Sequence, residues 1–299
     1  MNDSGRKTLI AKASGARQAR TRSRQTTEGA GPSRAPERRG RGKTALITGA
    51  SGGIGYELAL QFARDGYDLV LVARSQDKLI DVANRLERDH GISARALPKD
   101  LTEPGAPEEI HSWLRSESIA VDVLVNNAGF GLGGLFADIA LDGELAMLQV
   151  NLVGLTELTK LCLDGMLQRR SGKILNVAST AGFQPGPLMA VYYASKAYVL
   201  SFSEALANEL KGTGVTVTTL APGPTETGFA DRAGTKDARL FQGHTMGARK
   251  VAEAGYRGLM RGRALVVPGL RNRLLAFAVR LTPRRVVVKI TRRLQEART

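Results

Sequence analysis

The chain has almost no cysteine. Cys162 stands alone among 299 residues, so no disulfide can close within it, which fits a reducing compartment. Histidine is nearly as scarce. His90, His111 and His244 are scattered, so no metal-ligand cluster is expected. No apolar run reaches the ~18 residues that a spanning helix needs. Residues 1–42 hold no long apolar segment of the secretory-signal kind. A cytoplasmic chain is therefore expected. Aromatic residues make up 5% and form no stacking platform or reading motif, so nucleic acid is not an expected partner.

Acid is missing where base is plentiful. Residues 1–42 carry 11 Lys and Arg against 3 Asp and Glu, and residues 261–299 carry 11 against 1. The middle is slightly acidic, although the whole chain is +15. Basic ends attract anionic surfaces, or serve only as solvated tails. Residues 1–42 are rich in Arg, Ser, Ala and Gly. They fit a disordered extension, and also an organelle transit peptide or a misplaced start.

Order is expected from Lys43. Short apolar runs at 43–48, 68–73, 92–97, 120–125, 173–178 and 215–220 read as buried strands, with 265–267 as a seventh. Helical spacing fills 53–65, 76–89, 106–116, 142–169 and 191–211. Continuous apolar strands alternating with long helices predict an α/β fold. It is a Rossmann-like, doubly wound parallel sheet in a single domain, 43–268, with ligands at the carboxyl ends of the strands.

A glycine loop, GASGGIG at 49–55, lies between the first strand and first helix. Gly49 can take the tight turn, Gly53 admits a pyrophosphate, and Gly55 lets the helix pack closely. The first helical N–H groups then face an anion. Thr48–Gly55 reads T-G-x-x-x-G-x-G, Asn126–Gly129 reads N-N-A-G, and YYASK spans 192–196. Together these resemble the short-chain dehydrogenase/reductase family over roughly residues 43–267. The resemblance implies a nicotinamide cofactor held by Gly49, Ser51, Gly53, Ile54, Gly55, Asp100, Leu101, Asn127, Ala128 and Gly129. It extends to Pro222, Gly223 and Thr227 beside the nicotinamide. At the end of the second strand, Ala73 replaces the carboxylate that would bond a ribose hydroxyl, and Arg74 follows. NADP(H) is therefore expected over NAD(H).

Tyr192 and Lys196 are four residues apart on a predicted helix, so they share a face. A nearby ammonium favours phenolate and lowers a phenol's pKa, which suits proton exchange with a substrate oxygen. Tyr193 is also in helical reach of Lys196, and geometry alone leaves both open. The family pattern Y-x-A-S-K assigns the role to Tyr192. The resemblance adds Ser179, thirteen residues earlier, to orient the carbonyl. It adds Asn151 to bend the long helix and hold a relay water, and Lys196 to bond the nicotinamide ribose. The expected reaction interconverts a carbonyl and an alcohol. A non-catalytic dinucleotide-binding regulator of the same fold is the alternative.

Apolar loops at 130–136 and 183–189, with Phe130, Leu132, Phe183, Leu188 and Met189, point to a hydrophobic substrate. The segment from Gly228 to about Arg249 completes the substrate loops. Residues 269–299 form basic amphipathic stretches around Pro283. They can lie on a membrane surface, cover the pocket, or meet a second subunit. The arrangement resembles the branch with bacterial DltE-type reductases and relatives acting on steroids or 3-ketoacyl groups. The family's habit of forming dimers and tetramers makes a homo-oligomer the expectation.

Overall fold

A computed structural model describes residues 39–243 and 245–296. Most of the basic extension, residues 1–38, and His244 lie outside the described residues. Residues 39–42 form a turn ahead of the first strand, and the Gly40 N–H donates to the Asp65 carbonyl at 2.9 Å.

Seven parallel strands make the central sheet: β1 (Thr44–Thr48), β2 (Asp68–Ala73), β3 (Ala94–Pro98), β4 (Val121–Asn126), β5 (Gly172–Val177), β6 (Val215–Leu220) and, at the edge, β9 (Leu265–Val266). Their order is β3-β2-β1-β4-β5-β6-β9. Most strand interiors are buried residue after residue, because helices cover both faces. On one face α1 (Gly53–Arg64), α2 (Gln76–His90) and α8 (Ala248–Met260) bury Phe62, Leu79, Leu86 and Leu259. On the other, α3 (Ala106–Ser116) and α5 (Leu155–Gln168) bury Ile110, Leu114, Leu158 and Met166. α6 (Ala190–Glu209) lies against β5 and β6.

The order reverses between β1 and β4. Chains leaving those two strands diverge and open a crevice at the carboxyl edge. Beneath it, buried amides join neighbouring strands. Asn126 Nδ2 of β4 donates to Asn176 Oδ1 of β5 and to Thr159 Oγ1, each at 2.9 Å. Asn176 Nδ2 donates to Ser203 Oγ of α6 at 2.9 Å.

One expectation needs correction. Residues 142–169 are not one regular helix. α4 (Leu141–Leu148) passes into a π-helical turn, Gln149–Gly154, before α5. The wider turn projects Asn151 inward. In addition, α8 was not read from the sequence at all. Short pieces follow β6: β7 (Thr225–Glu226) pairs with β8 (Met246–Gly247), and α7 (Phe229–Arg232) lies between them. Two helices end the described chain, α9 (Leu270–Leu281) and α10 (Arg284–Gln295).

Candidate active site

The crevice is a cleft of about 670 Å³ running from the β1 turn to α10. Gly49 holds φ +66°, and a Cβ there would sit 2.8 Å from Asn127 Nδ2. That amide donates to the Thr48 carbonyl at 2.9 Å, tying the glycine turn to the β4 loop. Thr48 Oγ1 accepts from the N–H groups of Asn127 and Ala128, both at 3.0 Å. Gly55 lies under the turn, where a Cβ would meet the Gly49 carbonyl at 2.2 Å. It does not line the cleft; it lets α1 start there. The first turn of α1 carries no acidic residue, so its N–H groups face the cleft without a competing carboxylate. A backbone cradle that side chains would fill, open to a helix N-terminus, fits a dinucleotide pyrophosphate.

Ser51, Gly53, Ile54, Arg74, Asp100, Leu101, Asn127, Ala128, Gly129, Pro222, Gly223 and Thr227 all line this cleft. Arg74 approaches Asp100 at 3.9 Å, with both side chains solvent-accessible. Ser75, Lys78 and Lys99 line the same end and were missed in the sequence. Lys78 lies four residues after Arg74, in the first turn of α2, a signal that was available. Lys99 also pairs with Glu109.

Ser179, Tyr192 and Lys196 meet near the opposite end. Ser179 follows β5 and accepts from the Ala181 N–H at 3.1 Å. Burial pushes the Tyr192 phenol upward; a hydrogen bond with Ser179 opposes this, and neighbouring Tyr193 adds to it. The lowering expected from Lys196 is not among the causes, and desolvation sets the direction. Lys196 Nζ stands 5.9 Å from the Tyr192 ring centroid and donates to the Val177 carbonyl at 3.0 Å. Burial lowers its pKa to about 8.

Asn151 does not line the cleft. Its Oδ1 accepts from the Phe130 N–H at 3.1 Å, and its Nδ2 donates to the Phe130 carbonyl at 3.0 Å and to Ser195 Oγ at 3.1 Å. Here it is a brace between the π-turn, the β4 loop and α6. Tyr193 has a different partner: its hydroxyl accepts from Gln295 Nε2 of α10 at 2.6 Å.

The end of the cleft beside Tyr192 is lined by Phe130, Met189, Phe229, Leu240, Phe241 and Gln295. Of the apolar loop residues named from sequence, Leu132, Phe183 and Leu188 do not line it. Leu132 packs in the cluster around Tyr192, and Phe183 packs with Val199 and Leu200. Leu188 adopts φ +67°. Gln295 carried no sequence signal, because it is 102 residues from its partner Tyr193. Among the described residues, no group of three or more His, Cys, Asp or Glu could hold a metal ion.

Fold and crevice together define a Rossmann-type α/β protein whose cleft is shaped for a dinucleotide. The model of the short chain dehydrogenase family matches residues 43–238, and this chain belongs to that family. The very-long-chain 3-oxoacyl-CoA reductase of Anas platyrhynchos is 36% identical over 200 residues, which span 65% of this chain and 63% of that relative. Among solved structures, a short-chain dehydrogenase from Sphingobium yanoikuyae in complex with NADPH is 34% identical, with a TM-score of 0.72 over 80% of this chain and 94% of that one. The bulky-bulky ketone specific alcohol dehydrogenase of Comamonas testosteroni is 30% identical, with a TM-score of 0.68 over 80% and 92%.

Proposed function

We propose that this chain is an NADP(H)-dependent reductase of hydrophobic ketones or aldehydes, reversible as an alcohol dehydrogenase. The observation that carries the reading is Tyr192, buried in the cleft beside Ser179 with Lys196 next to it. A raised phenol pKa keeps Tyr192 protonated at neutral pH, as an acid must be when carbonyl is reduced. The Ser179 hydroxyl and the Tyr192 hydroxyl both donate to the substrate oxygen, and Tyr192 passes its proton to it. When bound, the nicotinamide supplies or accepts the hydride. Lys196 stays cationic below about 8 and is assigned, by family resemblance, to the ribose hydroxyls. Asn151 positions the Phe130 backbone rather than touching substrate.

Arg74, backed by Lys78 and Lys99, is assigned to the 2′-phosphate of NADP(H), with Ala73 offering no competing carboxylate. Apolar residues at the Tyr192 end of the cleft, and relatives named for bulky ketones and 3-oxoacyl-CoA, support a hydrophobic substrate. Assembly into a homo-oligomer belongs to the same reading.

The test is a panel of ketones and aldehydes followed by NADPH absorbance, with NADH in parallel. Reduction with NADPH preferred is expected. Tyr192→Phe should lose roughly 10²–10⁴-fold in turnover with cofactor affinity nearly unchanged. Full turnover by that variant would sink the assignment. Cofactor binding without turnover of any carbonyl would favour the regulator.

A further inference from the structure

α9 is built inside out. Its half-buried positions are Asn272, Ala276 and Val279, which recur on one face. Asn272 Nδ2 donates to the Pro268 carbonyl at 2.9 Å, and its side chain crowds Gly223. On the opposite face stand Leu270, Leu274, Phe277 and Leu281, which are 70%, 61%, 60% and 74% exposed. At ~100° per residue these four fall within about 60° of arc. Arg271 lies on one side of the stripe, and Arg273 and Arg280 on the other. A helix on a protein surface normally turns such a stripe inward; no residue of α9 is buried.

α10 divides differently. Val287, Thr291 and Gln295 are buried, and Val286, Ile290 and Leu294 are exposed. Residues 270–296 hold eight Lys and Arg and a single acid, Glu296.

We propose that α9, with the outer stripe of α10, docks on an anionic lipid bilayer surface. α9 would lie in the plane of the interface. Its leucines and phenylalanine enter the acyl boundary, while the flanking arginines reach lipid phosphates. Charge selects this occupant. A second copy placed by two-fold symmetry would bring the same cationic face against itself, whereas an anionic leaflet complements it. The site is independent of the catalytic reading.

The test is flotation of the full chain with pure phosphatidylcholine vesicles or vesicles that also contain phosphatidylglycerol. Binding to the anionic vesicles should exceed binding to the neutral ones at least about tenfold and weaken as salt rises. Leu274→Glu with Phe277→Glu should cut it at least about tenfold at an unchanged melting temperature. The Leu274→Ser, Phe277→Ser pair should do the same if glutamate perturbs folding. Absent vesicle binding overturns the proposal. So does undiminished binding by both double variants, which would locate it elsewhere in the chain. A wild-type dimer that both variants dissociate, without vesicle binding, would assign the face to a second copy.

Discussion

Tyr192 and Tyr193 are neighbours in sequence with separate partners, one at Ser179 and the other at Gln295. Tyr193→Phe should therefore keep turnover within about tenfold of wild type, where Tyr192→Phe loses far more; steady-state kinetics of the two variants make the comparison. Lys196 gives a second prediction at this scale. Its pKa, lowered to about 8, makes it neutral above that pH. The kcat/KM for reduction should hold up to about pH 8 and then fall. The stability effect has the opposite sign. Between about 8 and 10 the unfolded chain still holds the lysine proton that the native chain has lost. The unfolded state then binds more protons, so this group makes stability rise with pH. A pH–rate profile and a melting series over the same range would show the two trends diverging. The residues of this site were legible because Ser179, Tyr192 and Lys196 sit in short motifs. What spacing could not supply was desolvation, which reversed the expected direction for Tyr192.

Strands were the most legible elements, since β2 and β6 match the apolar runs residue for residue. α8 carries Gly255 and Gly258, residues that weaken a helical pattern in the sequence. The structure gives them a reason. A Cβ at Gly255 would lie 2.7 Å from Leu220 Cδ2, and one at Gly258 would lie 2.2 Å from Val266 Cγ2. These glycines bring the helix close to β6 and β9. Helix propensity alone would have Gly258→Ala stabilise by up to ~1 kcal/mol. The contact predicts instead a loss of roughly 1–3 kcal/mol, and urea denaturation distinguishes the signs. The π-turn was hidden from residue spacing, because Gln149–Gly154 continues the helical pattern on either side; only the family resemblance pointed to a bend at Asn151.

At the scale of the whole molecule, the sequence left the basic tail with three fates. The structure separates its two helices: α10 enters the Tyr192 end of the cleft through Gln295, and α9 does not. The backbone of residues 239–240 bonds to the carbonyls of Glu296 and Leu294 at 3.2 and 3.0 Å, closing that wall. A chain ended at Pro283 should raise KM for the carbonyl several-fold while leaving NADPH affinity unchanged, since no α10 residue lines the cofactor end. Steady-state kinetics and a cofactor titration would check both. The paired asparagines under the crevice carry a different consequence. Strands that are apolar on both faces offer little to distinguish one alignment from the next. Asn126 and Asn176 stand directly opposite each other in β4 and β5. Sliding either strand by one residue would strand both amides in a dry interior, each at a cost of about 1–3 kcal/mol. The pair thus acts as a proofreading mark for the sheet's assembly, penalising a misaligned fold that hydrophobic burial alone would accept.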